Sequence, residues 1–105
     1  MSNSRLDKLL EMLEKQPSDA FLLYAVGFEY EAAGKDDQAM DYYTTILEQE
    51  PDYLPVYYQA GLLQANLGND AKAIELLESG IELAKKQKDR KTENELRQAL
   101  EEMEE

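Results

Sequence analysis

At 105 residues the chain has the length of one domain, and a hydrophobic fraction of 43% is that of a foldable chain rather than a disordered acidic tail. The net charge of −12 argues against nucleic acid, whose phosphates require clustered Lys and Arg, and suits a well-solvated surface. The absence of Cys rules out a disulfide framework, so packing alone must hold the fold.

No apolar run reaches membrane-spanning length. The opening "MSNSRLDKLLEML" has charges inside its apolar stretch and no small-residue cleavage site, so neither secretion nor a membrane is expected, and the expected location is cytoplasmic. Ala, Leu, Glu, Lys and Gln dominate and strand-like alternation is nearly absent, which predicts an all-α chain.

Residues 4–15 read as an amphipathic helix with Leu6, Leu9 and Leu13 on one face, stopped by Pro17. The next helix places Leu23, Val26, Gly27 and Tyr30 at i, i+3, i+4, i+7, and Gly34 ends it. Asp36 suits the N-cap of a third helix whose face holds Ala39, Tyr43, Ile46 and Leu47 before Pro51. A fourth helix carries Tyr57, Ala60, Gly61 and Gln64 up to Gly68. The fifth carries Ala73, Leu76, Leu77 and Ile81 and, with no Pro to stop it, runs on through "ELAKKQK". Leu96, Ala99, Leu100 and Met103 give a sixth helix, with Thr92 and Glu95 as a capping-box pattern at its start. Turns are expected near Gln16–Ser18, Gly34–Lys35, Glu50–Asp52, Gly68–Asn69 and Lys88–Lys91.

Helices two and three repeat as helices four and five at a spacing of 34 residues. Gly27 falls on Gly61, Gly34 on Gly68, Asp36 on Asp70, Ala39 on Ala73 and Pro17 on Pro51. A fixed period of this length marks stacked helical units that cannot bury their apolar faces alone. Gly27 and Gly61 lie inside helices, where Gly costs about 1 kcal/mol against Ala. A cost taken twice at one spacing predicts close approach of a neighbouring helix, with Ala39 and Ala73 small for the same reason.

These residues resemble the tetratricopeptide repeat, whose 34-residue unit has the pattern W-x2-L-G-x2-Y, A-x3-F, P. The first unit has Leu23-x2-Val26-Gly27-x2-Tyr30, Ala39-x3-Tyr43 and Pro51. The second has Tyr57-x2-Ala60-Gly61-x2-Gln64 and Ala73-x3-Leu77, with Gln64, Ala60 and Lys85 departing from the pattern. The resemblance implies an all-α antiparallel helix-turn-helix repeat stack, an α-solenoid of about six helices in a single domain. Its parts would be an N-terminal half-repeat helix (1–16), repeat 1 (17–50), repeat 2 with a long second helix (51–88) and a C-terminal capping helix (89–105).

Chemistry is sparse. Without His or Cys there is no neutral-pH imidazole base, no thiol nucleophile and no ordinary zinc site. The segment "GKDDQA" is not a phosphate loop, and "NDAKAIELLE" lacks calcium-loop spacing. No enzyme activity, metal or cofactor is expected. The cluster Lys85, Lys86, Lys88, Arg90 and Lys91 either meets an acidic partner or complements the dipole at a helix C-terminus, the reading favoured here.

Phe21, Tyr24 and Phe28 lie about one hundred degrees round their helix from the core face. In the resembling family that face lines the concave groove that holds partner peptides. The equivalent face of the second repeat holds Pro55, Tyr58, Leu62 and Asn66, and that of the last helix Asn94, Arg97 and Glu101. Family members that clamp acidic chaperone tails need Lys, Arg and Asn there, and the aromatics here suit an apolar or amphipathic peptide or helix instead. The expected partner site is therefore Phe21, Tyr24, Phe28, Tyr58, Leu62, Asn66 and Arg97, on a monomer or weak homodimer. The competing expectations are self-association through the same face, giving a homodimer, and burial of these aromatics by neighbouring helices.

Overall fold

A computed structural model describes residues 4–104. Six α-helices run in order: α1 Ser4–Lys15, α2 Ala20–Ala32, α3 Asp36–Gln49, α4 Pro55–Asn66, α5 Asp70–Gln87 and α6 Arg90–Glu104. They form two compact units, one up to Pro51 and one from Asp52 on.

In the first unit α2 packs against α1 and α3. Leu22, Leu23, Val26, Ala39, Tyr43 and Ile46 are buried. Gly27 lets α3 come close: a methyl added there would lie 2.6 Å from Tyr43 Cε1 and 3.3 Å from Tyr42 Cβ. The Tyr43 hydroxyl donates to Glu31 Oε1 at 2.9 Å, which satisfies the polar end of a fully buried ring. Burial, and then this bond to Glu31, push the Tyr43 phenol far above its ordinary pKa. The amphipathic helix α1 has no buried residue, and its Leu6, Leu9 and Leu13 are half-buried.

In the second unit α5 packs against both α4 and α6, and α4 also meets α6. Leu54, Leu77, Ile81, Ala84, Leu96 and Ala99 form one buried cluster, with Tyr58, Leu62, Leu100 and Met103 packed against it. Full burial of one such Leu contributes about 1.5–3 kcal/mol. A methyl at Gly61 would lie 2.8 Å from Leu77 Cδ2 and 3.7 Å from the Ala73 carbonyl oxygen, so this glycine also serves close packing. Gln87 Nε2 donates to the Asp52 carbonyl at 2.8 Å and ties the end of α5 to the chain leading into α4.

Both first helices end in the same hydrogen-bonded stop. Gly34 and Gly68 take φ of 79° and 84°, a region open to Gly at little cost. The N–H of Lys35 reaches the Tyr30 carbonyl at 2.9 Å, and that of Asn69 reaches Gln64 at 2.9 Å. Helix starts differ from expectation in two places. Asp36 is the first residue inside α3, not its cap; Lys35 holds the cap position and makes no side-chain cap bond. Asp36 and Asp37 instead complement the positive end of the helix dipole. Thr92 and Glu95 do not start α6 either. The Asp89 carboxylate accepts from Thr92 N–H at 3.0 Å and from the Thr92 hydroxyl at 2.9 Å, so the helix begins three residues earlier than a Thr92 cap would require.

That earlier start also corrects the basic cluster. Lys85 and Lys86 occupy the last turn of α5, where the dipole favours them, and Lys88 terminates the helix at φ 59°. Arg90 and Lys91 fall in the first turn of α6, where the dipole disfavours them.

Candidate functional site

An N-cap at Asp19, which accepts from Leu22 N–H at 3.0 Å, fixes the start of α2. Leu22, Leu23, Val26 and Gly27 then face inward, and Phe21, Tyr24 and Phe28 fall on another side of the helix. Phe21 is 64% exposed and Phe28 46%. Tyr24 is half-buried, its ring tilted by 37° against that of Tyr43 at 6.0 Å between centroids. Arg5 of α1 reaches across to Glu29, Nε to Oε2 at 3.2 Å. Arg5, Phe21, Tyr24, Ala25, Phe28 and Glu29 together line a cleft of about 240 Å³. Three of its six lining residues are aromatic, and the Arg5–Glu29 ion pair supplies two more.

The second unit has a cleft of about 220 Å³ lined by Tyr58, Leu62, Glu95, Gln98, Ala99 and Glu102. Tyr58 and Leu62 sit one turn apart on α4 and are half-buried against the apolar cluster. The facing wall comes from α6, where Gln98 Nε2 donates to Glu102 Oε1 at 3.4 Å.

Of the expected residues, Phe21, Tyr24 and Phe28 come together in the first unit, and Tyr58 and Leu62 in the second. Asn66 is exposed at the end of α4 and lines neither cleft. Arg97 lies elsewhere on α6, with Nε and Nη2 both 2.9 Å from Glu93 Oε2. Residues outside that expectation are Arg5, on the half-repeat helix, where the same position of the first whole repeat holds Ala39, and Glu95, Gln98 and Glu102. A one-residue step along α6 from Asn94, Arg97 and Glu101 would have found the last three. Among the described residues no group of His, Cys, Asp or Glu is placed to hold a metal ion, and no helix is long and apolar enough to cross a membrane.

Repeated helix pairs that bury small residues at their crossings and leave aromatic side chains on their first helices define a helical-repeat interaction scaffold, a non-catalytic class. The comparisons with known proteins agree. A family profile described as tetratricopeptide repeat matches residues 30–92. The crystal structure of a tetratricopeptide repeat domain protein from Salinibacter ruber is 30% identical, with 82% of this chain and 96% of that chain covered at a TM-score of 0.79. A solution structure of a tetratricopeptide repeat domain protein from the same organism gives 31%, 84%, 89% and 0.80 in the same order. The solution structure of protein BPP2914 from Bordetella parapertussis, at 23% identity and a TM-score of 0.83 over 98% of this chain and 89% of that one, is similar in fold. No curated protein matches the chain. The chain belongs to the tetratricopeptide repeat family, whose fold serves as a protein–protein interaction scaffold.

Proposed function

We propose that the domain holds a peptide or helix of a partner protein on the aromatic face of a first helix, that of α2 in the first unit. The observation that carries this reading is the exposure of Phe21 and Phe28, which with Tyr24 line the 240 Å³ cleft. Two phenylalanines in water on a chain with so many charged residues lose apolar hydration cost when a partner covers them. Apolar side chains spaced one or two turns apart on a partner helix match the i, i+3, i+7 spacing of Phe21, Tyr24 and Phe28.

The test is a peptide-display selection on the purified chain, followed by affinities for Phe21→Ala with Phe28→Ala. The selected peptides should bind the double variant at least about tenfold more weakly, since central aromatics can carry about 2 kcal/mol each. Helical circular dichroism and melting temperature should stay as in the parent. Unchanged affinity would place the partner surface elsewhere. Light scattering at micromolar concentration separates the self-association reading, because a partner-binding monomer keeps monomer mass.

A further inference from the structure

The first helical pair carries another cavity, on the side where α2 and α3 bring Tyr30 and Tyr42 together. Tyr30, Gln38, Asp41, Tyr42 and Thr45 line about 360 Å³. The two rings stack with centroids 5.6 Å apart and planes 17° from parallel. Both are half-buried, while Gln38 and Asp41 are exposed. The Thr45 hydroxyl donates to the Asp41 carbonyl at 3.0 Å, which leaves its oxygen able to accept from an incoming N–H. The lining therefore offers two π systems, a carboxylate, an amide oxygen and a hydroxyl oxygen, and it contains no cation.

The internal repeat shows what the fold itself demands here. Thirty-four residues on, the same positions hold Gln64, Lys72, Glu75, Leu76 and Ser79. Leu76 is half-buried as Tyr42 is, so an aliphatic side chain suffices for packing at that position. Gln64 is buried with its Oε1 taking a bond from Asn69 Nδ2 at 2.8 Å. Tyr30 holds the repeat pattern's own Tyr position, whereas the second ring, Tyr42, and the cation-free wall belong to the first repeat alone.

We infer that this cavity binds an arginine side chain of a partner protein. A guanidinium laid against the tyrosine rings is attracted by their quadrupole. Its N–H groups can reach the Asp41 carboxylate in charge-assisted bonds, with Thr45 Oγ1 and Gln38 Oε1 as further acceptors. Arginine fits better than lysine because it is planar, carries five donors and is more weakly hydrated. The net charge of −12 draws cations toward the chain in general, and the ring pair with Asp41 selects this place. The assignment is independent of the aromatic cleft described above.

The experiment is a two-dimensional amide NMR titration of the full chain at about 150 mM NaCl, where long-range attraction is screened. The probe is acetyl-Gly-Arg-Gly-Arg-Gly-amide, beside its citrulline and lysine counterparts. The arginine peptide should give saturating shifts centred on Tyr30, Gln38, Asp41, Tyr42 and Thr45. The uncharged citrulline peptide should give none, and the lysine peptide should bind about tenfold more weakly. Tyr42→Leu, which copies the second repeat, and Asp41→Asn on the exposed surface should each weaken binding about tenfold. Shifts spread over the acidic surface and indifferent to both variants would overturn the site, as would silence at millimolar peptide. Equal binding of the lysine peptide would overturn the choice of arginine. Should Tyr42→Leu fold poorly, Asp41→Asn alone decides.

Discussion

A methyl group placed on Gly27 would meet the edge of a ring that has nowhere to go. Tyr43 is fully buried and its hydroxyl is held by Glu31, so a contact of 2.6 Å from Cβ to Cε1 cannot be relieved by a rotamer change. Gly27→Ala should therefore destabilise by about 1–3 kcal/mol, the ordinary cost of overpacking. At an exposed helix position the same change would stabilise by about 1 kcal/mol. A urea midpoint for Gly27→Ala that rises above the parent's would refute the close-packing account. Gly27 and Gly61 were legible in the sequence because an unfavourable residue recurs at one spacing. Gly80 was not, since Ile46 stands 34 residues before it. Yet a methyl there would lie 2.8 Å from Tyr57 Cβ and 3.1 Å from Leu96 Cδ1, so it serves α4 and α6 together. Lys88 stands at the start of an expected turn, but its left-handed conformation was not legible. It does at φ 59° what Gly34 and Gly68 do, with the Asp89 N–H reaching the Ala84 carbonyl at 2.9 Å, and a search for terminal glycines passes over it.

Helix ends depend on single polar side chains, and this is where reading by pattern was weakest. The Thr92–Glu95 spacing matched a capping box, but Thr92 donates to Asp89 instead, and Glu95 forms part of the wall opposite Tyr58. The neighbouring Arg90 and Lys91 made this stretch look like a basic turn, which concealed the cap beside them. Asp89 now gives the start of α6 a pH dependence. The bonds from Thr92, backbone first and then hydroxyl, hold its carboxyl below the usual carboxylate range. A group whose folded pKa is lowered stabilises fully above its unfolded value of about 4 and loses that contribution as pH falls through the folded value. Asn also caps helices well and does not titrate there. Asp89→Asn should therefore flatten the fall of the urea midpoint as pH drops below about 4, relative to the parent. Parallel curves for the two chains would show that Asp89 contributes nothing to acid sensitivity. The helices themselves, six in the expected order, were carried by apolar spacing over many residues, which one misread cap cannot displace.

Over the whole molecule, the two units carry different versions of one face. Counting from the repeat put Phe21, Tyr24 and Phe28 on α2 and Tyr58 and Leu62 on α4, because a helix of known period fixes which residues share a side. The count failed on α6, which leaves the 34-residue register. There Ala99 belongs to both the buried cluster and the cleft wall, so the residues flanking it, Glu95, Gln98 and Glu102, line the cleft, and Arg97 turns toward Glu93. Nor does helical period tell an exposed aromatic from one the core has partly claimed. Phe21 and Phe28 stand out in solvent, whereas Tyr58 packs on the cluster of Leu54, Leu77 and Leu96. Tyr58→Ala should consequently lower stability by about 1–3 kcal/mol, as loss of a half-buried aromatic does. Phe21→Ala with Phe28→Ala should stay within about 0.5 kcal/mol of the parent for each change. Urea unfolding of the three chains, followed by circular dichroism, checks both. If Tyr58→Ala unfolds no earlier than the Phe21 and Phe28 variant, the tyrosine is not part of the core and its ring is available to a partner in full. If the phenylalanine variant is the one that loses stability, the exposed face of α2 supports the fold, and loss of binding in that variant could no longer be assigned to lost contact with a partner.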